Sequence, residues 1–151
     1  MSDKFAGVVL LVEDEPLVRL VVVDVLMEAN FRIIEASNAD EALTVLNAGV
    51  PVDVLLSDVE MPPGANGYAL ARQVRESWPD IEILIVSGRE WPVEGDLPQG
   101  TAFLAKPVPN EAILQQVKSA AQRAQEARRA RATAASGEPS DCQVIPFPKS
   151  A

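Results

Sequence analysis

The chain has 151 residues, with 13 Lys and Arg against 22 Asp and Glu, for a net charge of −9. That length fits one domain with a substantial core, and the excess acid opposes nucleic-acid binding. With no histidine in the sequence, Ser-His and Cys-His catalysis, histidine metal ligation and a phosphohistidine-carrier role are excluded.

The lone Cys142 allows no internal disulfide, and MSDKF lacks the basic region and apolar core of a signal peptide. No apolar run is long enough to span a bilayer, so the cytoplasm is the expected compartment.

Val8 to Val12 is a continuous β-branched and aliphatic run, the pattern of a strand buried on both faces. Pro16 suits a first helical position, and Leu17 to Asn30 forms a mostly apolar helix carrying Arg19, Asp24 and Glu28. Phe31 to Ala36 is a second strand. Ser37, with Asp40 and Glu41 behind it, is expected to start a second helix through Asn47, closed by Gly49 and Pro51.

Val52 to Ser57 reads as a third strand ending at Asp58. An amphipathic helix over Tyr68 to Trp78 follows, ended by Pro79. Ile81 to Val86 and Ala102 to Ala105 are the fourth and fifth strands. Asn110 is expected to cap a long final helix with an Ile113, Leu114, Val117 stripe. Its Lys118, Arg123, Arg128, Arg129 and Arg131 read as ordinary partners of a helix C-terminus rather than a binding face. Expected boundaries are a domain over 6–121, a helical extension over 122–135, and a flexible tail over 136–151.

Strands alternating with helices imply a parallel α/β sheet with helices on both faces, and such sheets bind ligands beyond the carboxyl ends of their strands. Glu13 and Asp14 end the first strand, Asp58 the third and Ser87 the fourth, while the fifth leads into Lys106. Three clustered carboxylates repel unless a cation joins them, and an oxygen-only donor set suits a hard ion such as Mg²⁺. A carboxylate beside such an ion is a competent nucleophile toward an activated phosphoryl group.

Four motifs carry a resemblance: VLLVEDEP (Val9 to Pro16), SDVEMP (Ser57 to Pro62), IVSG (Ile85 to Gly88) and LAKP (Leu104 to Pro107). In this order and at these separations they resemble the receiver domain of two-component response regulators, over about residues 6 to 121. The resemblance implies a flavodoxin-like (CheY-like) five-stranded parallel sheet of order 2-1-3-4-5, an order taken from that family.

It further implies Asp58 as phosphoryl acceptor and Asp14 as a direct Mg²⁺ ligand. Glu13 would act through water, and Glu60 would lend its backbone carbonyl. Ser87 becomes the switch hydroxyl, Phe103 the switch aromatic and Lys106 the phosphate-pairing cation. The implied partner is a histidine kinase or histidine phosphotransfer protein, the expected output a change in protein–protein contacts by a stand-alone monomer or weak dimer. No nucleic-acid or membrane partner is expected.

Two departures from the family stand out. The loop MPPGANG is one residue longer than usual, with Gly64 and Gly67 available for positive φ. The stretch REWPVEGDLPQG between Ser87 and Lys106 is short and holds two prolines, so the fourth helix is expected to be short or irregular. Trp91 there could face a partner or pack as a lid.

Two other functions compete. One is a small-molecule phosphatase of the haloacid-dehalogenase kind, which places a second acid two positions after its nucleophile, where Glu60 stands here. The other is a docking module with a vestigial pocket.

Overall fold

The computed structural model describes residues 6–59, 66–87, 97–98 and 100–136. Strands β1 (Gly7–Val12), β2 (Phe31–Ala36), β3 (Val54–Asp58), β4 (Glu82–Ser87) and β5 (Thr101–Ala105) form one sheet. Helices α1 (Pro16–Glu28), α2 (Ala39–Asn47) and α3 (Gly67–Ser77) lie between the first four strands, and α4 (Asn110–Ser136) follows β5. Every adjacent pair is parallel and the order is β2-β1-β3-β4-β5, the flavodoxin-like, CheY-like arrangement.

Alternation along each strand divides the core into two layers. Val9, Leu11, Leu56 and Leu84 pack with Val22 and Leu26 of α1 and Val117 of α4. Leu10, Leu55, Ile83 and Ile85 pack on the other face with Leu46 of α2 and Val74 of α3. Both faces are covered, so the central strands run apolar up to their ends, whereas the edge strand β2 exposes Arg32 and Glu35. Each enclosed aliphatic side chain contributes about 1.5–3 kcal/mol relative to exposure.

Pro16 opens α1 as expected, and Asn30, at φ 72°, turns the chain into β2. The helix is apolar almost all round. Val22 and Leu26 are buried, whereas Leu17, Leu20 and Met27 are 75%, 58% and 58% exposed. No helix among the described residues is long and apolar enough to cross a membrane.

Several local expectations are corrected. Asn38, not Ser37, caps α2, its side chain accepting from Glu41 N at 2.9 Å. Glu41 Oε1 in turn accepts from Ser37 N at 2.7 Å, a capping box shifted by one residue on its return arm. β3 starts at Val54 rather than Val52, and Trp78 lies just past α3 as its C-cap.

The arginines of α4 are not macrodipole partners, for the last turn holds no basic residue. Arg123 pairs with Glu82 at 3.0 Å, Arg131 with Asp80 at 2.7 Å, and Arg128 lies against buried Asp53. They fasten the helix to acids at the amino ends of β3 and β4. The Glu60 carbonyl, Gly64, the expected irregular helix with Trp91, and the tail from residue 137 lie outside the described residues.

Candidate functional site

The sheet register sets the carboxyl ends level. Val12 pairs with Ser57, Asp58 with Val86, and Ser87 with Ala105. Two further backbone bonds extend this edge: Glu13 N donates to Ala36 O at 3.0 Å, and Lys106 N donates to Ser87 O at 2.9 Å. Glu13, Asp14, Asp58, Ser87 and Lys106 therefore leave the sheet at one end.

One carboxylate oxygen from each of Glu13, Asp14 and Asp58 lies within 4.8 Å of the other two. Glu13 and Asp58 are buried, whereas Asp14 is exposed. At an effective dielectric near 20, each such pair repels by about 3 kcal/mol when ionised. Burial, followed by the neighbouring Asp58 charge, raises the Glu13 pKa from 4.5 to about 7, partly opposed by the hydrogen bond from Glu15 N and by Lys106. That bond, to Glu13 Oε2, measures 3.1 Å.

Asp58 is held at both oxygens. Oδ1 accepts from Val59 N at 2.8 Å, and Oδ2 faces Lys106 Nζ at 3.4 Å. Ser87 is buried at the neighbouring strand end. Phe103 sits partly buried against the α2–α3 layer.

Gly67 serves this site in a way its expected positive φ did not anticipate. It is the first residue of α3 and is not among the glycines at positive φ, which are Gly7, Gly49 and Gly100. A Cβ on Gly67 would overlap the Asp58 carbonyl oxygen and approach Val59 Cα to 2.9 Å. The glycine is required for close approach to the backbone of the central acid, and Gly67 N donates to Val59 O at 3.0 Å.

Three carboxylates without nitrogen or sulfur donors form a hard, oxygen-only set whose chemistry fits Mg²⁺. Beside it, a groove of about 700 Å³ runs between Leu17, Val18 and Val21 of α1 and Pro107, Val108 and Ile113 near the start of α4, with Lys106 at its edge.

A parallel α/β sheet with an acid cluster and a lysine at its carboxyl edge defines a class of phosphoryl-accepting signalling domains. Residues 9–118 match the family described as the response regulator receiver domain, and the chain belongs to that family. Its members are phosphoacceptor domains of two-component systems, phosphorylated by histidine kinases, and they generally bind Mg²⁺ at an acidic cluster.

Among known proteins, the chain is similar to the sensor kinase CckA of Brucella abortus, 40% identical over 84 residues, 55% of this chain and 9% of that one. It is also similar to the positive alginate biosynthesis regulatory protein of Pseudomonas aeruginosa, 33% identical over 74% of this chain and 46% of that one. The chain thus spans less than half the length of these relatives. A crystal structure of the receiver domain from the hybrid histidine kinase CckA superposes with a TM-score of 0.66 at 32% identity, covering 77% of this chain and all of that one. A CheY-like receiver domain protein from Methanospirillum hungatei JF-1 shares the fold, with a TM-score of 0.71 at 19% identity over 80% of this chain and 98% of that one.

Proposed function

We propose that Asp58 accepts a phosphoryl group from a phosphohistidine on a partner kinase or phosphotransfer protein and that the new charge switches protein–protein contacts. The observation that carries this reading is the setting of Asp58, buried between two further carboxylates and a lysine at 3.4 Å.

An Asp58 carboxylate oxygen forms a bond to phosphorus as the phosphorus–nitrogen bond breaks, and the imidazole leaves with its electron pair and takes a proton from water. Glu13, Asp14 and Asp58, with the Glu60 carbonyl, would hold Mg²⁺, and Glu13 would act through water. When bound, the ion neutralises charge on the transferring phosphoryl oxygens. The Lys106 ammonium pairs with one of those oxygens, and the Ser87 hydroxyl donates to another.

The phosphoryl group adds about −1.5 to −2 charge at a buried strand end. Its pull on Ser87 biases the packing of Phe103 on the neighbouring strand β5. The exposed apolar groove beside Lys106 supports a protein donor rather than a small metabolite, since a metabolite would leave Leu17 and Val21 uncovered. A kinase that draws its phosphoryl group from ATP supports the cytoplasm as the compartment.

Profiling phosphotransfer from the host's histidine kinases tests the reading. A short-time preference for one donor, lost in Asp58→Asn, is expected. Transfer that persists in Asp58→Asn contradicts it.

A further inference from the structure

Asp14 is the exposed member of the acid cluster, carried on the short turn between β1 and α1. The Arg19 side chain reaches back to that turn, with Nη1 donating to Glu13 O at 2.7 Å. Its backbone N–H makes only the first helical bond of α1, to Glu15 O at 3.0 Å. The guanidinium is itself anchored on β2 and the turn after it, through Nε to Glu35 Oε1 at 3.0 Å and Nη1 to Ser37 Oγ at 3.4 Å. With Glu13 N bound to Ala36 O, both backbone polar groups of Glu13 are fixed from the β2 side.

We propose that Arg19 is a positioning residue for the divalent cation, its guanidinium holding the Glu13 carbonyl next to Asp14 so that the carboxylates of residues 13 and 14 converge with Asp58. This rests on the reading of the acid cluster as a Mg²⁺ site. The Arg19 side chain donates to the Glu13 carbonyl, Glu35 and Ser37, so its assigned role runs through the backbone of the turn rather than through a cluster carboxylate. Its fork geometry matters, as one guanidinium serves three acceptors on two chain segments.

Charge and positioning predict opposite signs. Arg19 is a cation near a cation site, so removing it on charge grounds alone tightens Mg²⁺ binding. Positioning predicts looser binding, by a factor on the order of ten for loss of a supporting contact around a metal site. Glu35 separates the two further, because it acts only through Arg19. Loss of Glu35 therefore adds nothing once Arg19 is gone.

The test is calorimetric titration of the purified metal-free protein with Mg²⁺ alone, for wild type, Arg19→Ala, Glu35→Ala, the double variant and Asp14→Asn, with thermal melting as a control for folding. Weaker Mg²⁺ binding by Arg19→Ala is expected, with the double variant no weaker and its acetyl phosphate-driven phosphorylation restored at saturating Mg²⁺. Unchanged or tighter binding by folded Arg19→Ala overturns the positioning role. Equal binding by wild type and Asp14→Asn overturns instead the metal-site reading beneath it. Should Arg19→Ala fail to fold, Glu35→Ala with wild-type affinity overturns the proposal by itself.

Discussion

Two sets of three acids stand at opposite ends of the same sheet, and they are treated in opposite ways. At the amino end, Asp53, Asp80 and Glu82 each meet an arginine of α4, at Arg128, Arg131 and Arg123. At the carboxyl end, Glu13, Asp14 and Asp58 cluster together, and Lys106 meets Asp58 at 3.4 Å. Asp53 and Asp58 are both buried, so burial does not separate a structural acid from a reactive one. Compensation separates them. The amino-end acids are neutralised by the fold itself, whereas the carboxyl-end acids are left with room and charge for an incoming cation.

That contrast can be broken from either side. The largest effect belongs to Lys106→Ala, which removes the ammonium facing Asp58 at 3.4 Å. Its phosphorylation rate by acetyl phosphate should fall by on the order of 10²-fold, as for loss of one charge-stabilising group, with little change in the melting temperature at saturating Mg²⁺, where the ion would supply the lost counter-charge. Arg128→Ala should do the reverse. It leaves buried Asp53 short of its charge partner and lowers stability by about 2 kcal/mol in urea unfolding, while phosphorylation proceeds at the wild-type rate.

The Glu13 carboxyl offers a smaller effect with a defined sign. Its pKa is about 7 in the fold against 4.5 ordinarily, so the folded state binds more protons between those values. Its contribution to stability is therefore fully present below about pH 4.5 and lost as pH rises to about 7, by at most about 1.4 kcal/mol per unit. Urea unfolding of the metal-free protein should show this as a wild-type component absent from Glu13→Gln. The smallest effects are those of Arg123→Ala and Arg131→Ala, whose exposed pairs should contribute under about 1 kcal/mol each by the same unfolding assay.

The difference between the two ends also explains what could be read from sequence. The carboxyl-end acids were legible because each follows directly on an apolar strand, so a local pattern places it. The amino-end pairs were not, since Arg128 and Asp53 are joined only through the packing of α4 across the sheet, which no periodicity encodes. Their arginines looked like helix-end cations for that reason. Arg19 was hidden in the same way, as one polar residue on an apolar helix whose partners lie on another strand.

Other misses were local. Ser37 and Asn38 are both capable caps, and the offset of three to Glu41 favours Asn38. Gly67 was recognised as special but for backbone freedom, because its contact with the Asp58 carbonyl arises only when α3 returns to β3. Strand order came from family resemblance, since apolar runs give strands without neighbours.

The most direct test of the contrast compares the two buried aspartates in one assay. Wild type, Asp58→Asn and Asp53→Asn are incubated with acetyl phosphate and Mg²⁺, and phosphoryl incorporation is read by intact mass and peptide mapping. One phosphoryl group on the peptide holding Asp58 is expected in wild type and Asp53→Asn, with none in Asp58→Asn and none when EDTA replaces Mg²⁺. Equal incorporation by Asp58→Asn would contradict the account.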